Sequence, residues 1–456
     1  MKIHNLHLRH ACHFSDLKIQ FNASQPITVI LGEQGSGKTT IVKNAFHALS
    51  WFSARFKDLR SPGIVMPDQD ITLQRVQSKI EIEVQLPAEI RGAIESDDAR
   101  EVDITLCQWQ LYKTLNSSGV GISKVEVTAL EQLTSRYFQA IKQDPLQGLP
   151  LIAYFPSERF VNEVSLLNKN NPAVFQSATA YEQVPLTFTT FSRFFEWFRE
   201  VSDIENALTA QAFQQVLQRQ RNSNTHPTDE TEFSQALRMA SHQLHTPSLS
   251  ALKQALTVVL PELTDIFIEY QPRLQLMVCW QGQHIQFAQL SNSLRNWIAL
   301  IGDVVRRMCL LNPLSLFPCM EGDGILLIDQ IDIDLDEANA STILSRLHQA
   351  FPNIQIIVTT LHSYVLDADE NMQCLKLQQR QLHEIKLEQY QADLQQLYND
   401  LQQEHTINTA SEMVMESNTV VEQMFHQFQK LSVQEQQQLR TLLHIDDDRT
   451  SQETLL

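Results

Sequence analysis

A chain of 456 residues that is 43% hydrophobic and 19% charged has the length for about two or three domains with a buried core, which excludes a globally disordered polymer. Its 35 Lys plus Arg stand against 53 Asp plus Glu, and the formal net charge of −18 opposes nonspecific attraction to a phosphate backbone, so any nucleic-acid contact is local or belongs to a partner. No stretch approaches the roughly 20 apolar residues of a membrane span, and the start "MKIHNLHLRH" lacks the apolar core of a signal peptide, so a cytoplasmic location is expected.

The N-terminus alternates in "KIHNLHL" and "LKIQF", then gives a strand "ITVIL" that runs through a Gly-rich turn into "TTIVKNAFHALSWF", where apolar residues recur at helical spacing. "KIEIEVQLP" and "EVDITLCQWQLYK" alternate as strands and predict an antiparallel subdomain beside the main sheet. The strand-like "LPLIAYFP" closes a first lobe. From about 160 to 260 the pattern is helical. Phe191, Phe194, Phe195 and Phe198 form an aromatic stripe that reads as the core-facing side of a helix. Strand patterns resume in "DIFIEYQPRLQLMVCW" and "HIQFAQL", followed by a helix "LRNWIALIGDVVRRMCLL" and the apolar runs "ILLIDQID" and "IQIIVTT", read together as the second half of an α/β core.

Beyond about residue 378 the chain turns Gln-rich and is read as helical, with Leu387, Tyr390, Leu394, Leu397 and Leu401 on one face. A repeat that short packs either on its own domain or on a second chain. The acidic run Asp446, Asp447 and Asp448 lies in a polar tail, which argues against a metal site there. The six cysteines, Cys12, Cys107, Cys279, Cys309, Cys319 and Cys374, include no C-x-x-C pair and read as ordinary thiols.

"GEQGSGKTT" sets Gly32, Glu33, Gln34, Gly35, Ser36, Gly37, Lys38, Thr39 and Thr40 in the phosphate-binding pattern G-x-x-x-x-G-K-[ST] between a predicted strand and helix. Its glycines permit tight backbone that aims N–H groups at a β-phosphate; Lys38 adds positive charge and the Thr39 hydroxyl suits Mg²⁺. Asp329 ends a predicted buried strand, where a carboxylate reaches the same Mg²⁺ shell. The next residue, Gln330, takes the position usually held by a glutamate that activates water. An amide orients water but does not accept its proton.

"QLSNSLRNW" resembles the signature motif of the ATP-binding cassette (ABC) superfamily, commonly L-S-x-G before a helix, whose N-terminus contacts the γ-phosphate held by the opposite subunit. Leu290 and Ser291 match; Ser293 stands where glycine is expected, and its Cβ limits close approach. "IVTTLHSYVL" resembles the superfamily's switch segment, with His362 as the match to the histidine that contacts the γ-phosphate and Leu361 as an extra residue before it.

Order and spacing together resemble the ATPase branch that contains SMC, RecF and OLD-type proteins. The match is closer to the PtuA ATPases of Septu and retron-associated anti-phage systems. It is carried by "ITVILGEQGSGKTTIVKNAFHALSWF", "PLIAYFPSERF", "FFEWFREVSDIEN", "LSNSLRNWIALIGDVVRRM", "GILLIDQIDIDLDEA" and "FPNIQIIVTTLHSYVL". The resemblance implies an α/β fold: an ABC/SMC-type P-loop ATPase head with an antiparallel β subdomain, an inserted helical lobe and a C-terminal helical, coiled-coil-like segment. The corresponding divisions are 1–160, 161–262, 263–377 and 378–456.

The same resemblance implies ATP and Mg²⁺ as ligands, a homo-oligomer through paired heads and C-terminal helices, and a separate PtuB-like HNH nuclease subunit as partner. Nucleic acid would be reached through that complex rather than by this chain alone, and no membrane is involved. Fewer than about 100 residues follow His362, too few for a nuclease domain of the OLD type beside the helical segment. The expectation is a nucleotide-sensing scaffold with weak or absent hydrolysis, because Gln330, Ser293 and Leu361 all depart on the hydrolytic side. The alternative is an active SMC/RecF-like ATPase acting on DNA in repair or defence. A transporter subunit shares the core but not the helical insertion. Arg159, in "YFPSERF", receives no role.

Overall fold

The computed structural model describes residues 1–91, 105–161, 177–181, 191–222, 246–368 and 371–386. The N-terminal alternation forms strands β1 (Lys2–Ala11) and β2 (Phe14–Gln20), which bury Ile3, Leu6, Leu8, Leu17 and Ile19. The chain then enters β3 (Ile27–Gly32), buried along its whole length, and leaves it through the glycine loop into helix α1 (Lys38–Lys57). Strands β4 (Gln77–Gln85), β5 (Leu106–Leu115) and β6 (Gly121–Val125) join the first two in a five-stranded antiparallel sheet of order β2-β1-β4-β5-β6. This is the expected β subdomain. Trp109 on β5 is fully buried and its indole N–H donates to the Ala48 carbonyl of α1 at 3.0 Å, pinning the sheet to the helix that carries Lys38.

Helix α2 (Val127–Gln143), to which the sequence reading assigns nothing, follows; Leu130, Leu133, Tyr137 and Ala140 form its buried stripe. Strand β7 (Leu151–Phe155) leads on to α3 (Ser192–Asn222), whose aromatic stripe is buried as expected at Phe194, Phe195 and Phe198; Phe191 is buried too, but it precedes the helix at φ 57° rather than lying on its face. After α4 (Pro247–Val259), β8 (Leu263–Glu269), β9 (Gln275–Trp280) and β10 (Gln283–Gln286) form a separate three-stranded antiparallel sheet. These strands, read as belonging to the second half of the α/β core, thus make a sheet of their own beside the main one. Strand β8 alternates buried with more exposed positions and β10 buries none of its residues, which suits one covered face rather than two.

Helix α5 (Asn292–Leu311) is buried from Asn296 to Leu311, so its charged residues must pair internally. Asp303 accepts from Arg306 and Arg307 at 2.9 and 2.8 Å. Burial opposes the charge on Asp303, but the two guanidinium groups outweigh it and hold the carboxyl below its ordinary range.

Strand β11 (Gly324–Ile328), helix α6 (Glu337–Ala350), β12 (Ile354–Thr360), β13 (Met372–Gln378) and β14 (Gln381–Ile385) complete the unit. The main sheet is six-stranded, β14-β13-β3-β12-β11-β7, with β14 alone antiparallel. The sequence reading turns helical at 378. Instead Gln379 and Arg380, at φ 49° and 66°, make the left-handed turn of a hairpin into β14.

Met1–Ile385 form one compact unit and Lys386–Leu456 a second. The repeat from Leu387 to Leu401 and the acidic run Asp446–Asp448 lie outside the described residues. Among the described residues no helix is long and apolar enough to cross a membrane.

Candidate functional site

The main sheet aims the ends of β3, β11 and β12, adjacent parallel strands, at the start of α1. That end of an open α/β sheet is where ligands bind. Gly35 and Gly37 take φ 75° and 110°, conformations that side chains resist, and a Cβ on Gly37 would meet the Phe14 ring at 2.7 Å. Gly37 caps α1 without a side-chain hydrogen bond and no acidic residue occupies the first turn. The first N–H groups of a helix have no intrahelical partner, so this terminus favours an anion. The Ser36 hydroxyl in the same loop is buried without a hydrogen-bond partner.

Lys38 is 5% exposed, and its ammonium donates to the carbonyls of Gly32 and Glu33 at 2.7 and 2.8 Å, which folds it back over the loop. Burial lowers its pKa, against the pull of Asp329 and Asp332. Glu33, Gln34 and Gly35 line the exposed rim of the loop, and the Thr40 carbonyl accepts from Asn44 at 2.8 Å.

Asp329 is fully buried just past β11. Its Oδ2 accepts from the Thr39 hydroxyl at 2.8 Å and its Oδ1 from the Thr359 hydroxyl at 2.6 Å. Two hard oxygens, Thr39 Oγ1 and a buried carboxylate, are thereby gathered at the first turn of α1. That donor set fits Mg²⁺, which binds through one or two protein oxygens and takes its other ligands from phosphate and water.

Gln330 takes φ 48°, a left-handed conformation costing about 1 kcal/mol or more for a residue with a Cβ. Its neighbours hold it there. The N–H donates to Thr359 Oγ1 at 2.8 Å, and the carbonyl accepts from Arg159 at 2.8 Å and from the Ile333 N–H at 3.2 Å. Arg159 is 6% exposed and also donates to the carbonyls of Asp329 and Pro156, at 2.8 and 3.0 Å. Burial pushes its pKa down to about 10 while Asp329, Asp334 and Asp332 oppose the shift. Arg159 is thus a clamp on the turn that presents Gln330.

His362 lies past the end of β12, and its Nδ1 is 2.6 Å from Oδ2 of the buried Asp332. Leu361, the extra residue, faces solvent at 38% exposure. Ser291 caps α5 by accepting the Leu294 N–H at 3.3 Å, and the Ser293 hydroxyl donates to the Asp334 carbonyl. The signature serines therefore bond to their own helix and to the loop after Gln330, not to the glycine loop. Asn296 ties the same helix to the Arg159 carbonyl at 3.1 Å.

Asp329, Gln330 and the loop from Gly32 to Thr40 are joined by this network. Thr359, Arg159 and Asp332 are members to which the sequence reading gives no role. Thr359 lies in "IVTTLHSYVL" and Arg159 in "YFPSERF", so the residue type of each is visible but its contact is not.

A Vibrio cholerae serotype O1 biovar El Tor protein named "Retron Vc95 probable ATPase" is 24% identical over 390 residues, 80% of this chain and 71% of that protein. An Escherichia coli protein named "Retron Ec83 probable ATPase" is 26% identical over 391 residues, 79% of this chain and 68% of that protein. Among solved structures, an SMC head bound to the C-winged helix domain of ScpA aligns at 13% identity. It covers 86% of this chain and 100% of that chain, with a TM-score of 0.45. The AAA domain family AAA_23 matches residues 5–264, more than half of the 456 residues and the whole of the glycine loop, and the chain belongs to that family.

Proposed function

We propose that this protein is an ATP-binding regulatory subunit of an anti-phage defence complex, of the PtuA kind, that hydrolyses ATP slowly and uses bound ATP as a signal. The observation that carries the reading is the asymmetry around Asp329. The groups suited to phosphate and Mg²⁺, namely Lys38, Thr39 and Asp329, are assembled and hydrogen-bonded, while the following position holds an amide, Gln330, fixed in a left-handed turn. Loss of a general base is worth about 10²- to 10⁴-fold in rate and leaves binding largely intact. The retron-associated names of the relatives support a defence setting.

Mg²⁺ bound through Thr39 and Asp329 would neutralise charge on the β- and γ-phosphates. Ser291 and Ser293 would meet nucleotide held by a second copy, which requires a homo-oligomer through paired heads. Nucleic-acid cleavage would belong to a separate HNH nuclease subunit held by this scaffold. The test is steady-state turnover of Mg-ATP by the purified chain. Turnover well below about 1 s⁻¹, with saturable ATP binding that Lys38→Ala removes, is expected. A rate near about 1 s⁻¹ that Lys38→Ala abolishes would overturn the slow-turnover reading.

A further inference from the structure

We infer that Asp332 and His362 form a water-activating pair: Asp332 is a positioning residue that holds His362 Nδ1, and His362 Nε2 takes the proton of the water that attacks the terminal phosphate. This rests on the proposal that ATP binds at the Gly32–Thr40 loop. The Asp332 side chain is 4% exposed and its carboxylate lies 2.6 Å from Nδ1, whereas the His362 side chain is 55% exposed.

A carboxylate accepts only, so Nδ1 carries the proton, and the tautomer this fixes presents the bare lone pair of Nε2. A ring in that state is a base. It offers no Nε2–H to a phosphate oxygen, which a neutral histidine serving only as a phosphate contact would need.

The ring is held on two further sides. It stacks on Tyr364 with centroids 4.9 Å apart and planes 10° from parallel, and the His362 N–H donates to Thr360 Oγ1 at 3.1 Å. Asp332 and His362 extend from the ends of β11 and β12, which pair in parallel through Ile328 and Val358, and the Ile331 N–H donates to the Thr359 carbonyl at 2.9 Å. Thr360, two residues before His362, pairs with Leu31, the residue that precedes Gly32, so the pair stands at the same end of the sheet as the phosphate loop. Gln330, with an amide side chain, cannot take this proton.

In the step, the water oxygen forms a bond to the γ-phosphorus while the bond from phosphorus to the β,γ-bridging oxygen breaks, and its electron pair leaves with ADP. The water proton moves to Nε2. Asp332 stabilises the resulting imidazolium until the half-exposed ring returns the proton to solvent.

The experiment measures Mg-ATP turnover, and separately the affinity for a fluorescent ATP analogue, on the full chain. His362→Ala is expected to lower kcat about 100-fold with affinity unchanged within a few fold, and added imidazole to restore part of the lost rate. Asp332→Asn is expected to lower kcat about 10-fold or more without imidazole rescue, and Asp332→Glu to recover part of it. If His362→Ala unfolds, His362→Gln, which retains an amide but no base, is measured in its place. Wild-type kcat in the His362 variants, or a parallel loss of affinity and turnover that imidazole does not rescue, would overturn the pair. A wild-type chain that binds ATP without turning it over would overturn the pair and leave the regulatory reading standing. Failure to bind ATP would remove both.

Discussion

His47, on α1, is fully buried with both ring nitrogens unpartnered, and burial, with a smaller contribution from Lys43, pushes its pKa from the ordinary 6.5 down to about 3. The folded protein therefore binds fewer protons here than the unfolded chain. A depressed folded-state pKa gives stability that is fully present above about 6.5 and lost progressively as pH falls towards about 3. Between pH 8 and 5 this residue is expected to remove about 2 kcal/mol. His47→Phe keeps the ring and removes the titration, so the difference between wild-type and variant urea stabilities should shift by that amount over this range. Equal pH dependence of the two proteins would show that His47 is solvated in the fold. At this scale the sequence was legible where chemistry is local. Gly32, Gly37, Lys38 and Thr39 stand within one short segment, and spacing alone marks them as a phosphate-loop pattern. Arg159 and Thr359 act on Asp329 and Gln330 from 170 and 30 positions away, and no spacing rule reaches that far.

At the scale of elements, the stripe on α3 packs into the signature helix α5. A Cβ on Gly302 would lie 2.3 Å from the Phe194 ring, so the glycine makes room for the aromatic. Phe194→Ala should cost about 3–5 kcal/mol and Gly302→Ala about 1–3 kcal/mol. The two together should cost less than their sum by at least about 0.5 kcal/mol, because the new methyl enters the space the ring leaves. Chemical unfolding of the four proteins of this cycle decides it; strict additivity would mean that the two residues do not share a contact. The stripe could be read in advance because one helix face carries it. Helix α2 offered a similar signal, Leu130, Leu133, Tyr137 and Ala140 at spacings of three and four, and went unassigned. Strand β13, "MQCLKLQ", is different. Polar Gln373 and Lys376 interrupt its apolar run, and Gln373 is buried because its amide bonds to the Gln20 carbonyl and the Asn22 N–H, partners that only the fold supplies.

Across the whole molecule, the order of the main sheet sets β3 between β13 and β12, strands more than 300 residues away in the chain. Periodicity predicts that such strands are buried, but their neighbours are fixed by tertiary packing, which is why the α/β class was legible and the separate sheet of β8–β10 was not. Net charge needs no such knowledge. At −18 the chain as a whole repels a duplex, and screening at about 150 mM salt, with a Debye length near 8 Å, weakens that repulsion at range without supplying attraction. Affinity for a duplex rests mainly on cations that displace counterions from phosphates. The purified chain, with or without Mg-ATP, should therefore leave a labelled duplex unshifted up to about 1 µM protein at that salt. A shift at nanomolar protein that disappears steeply as salt is raised would reveal a concentrated basic surface that the net charge conceals. It would move the assignment from a scaffold that reaches nucleic acid through its partner to an ATPase that works on DNA directly.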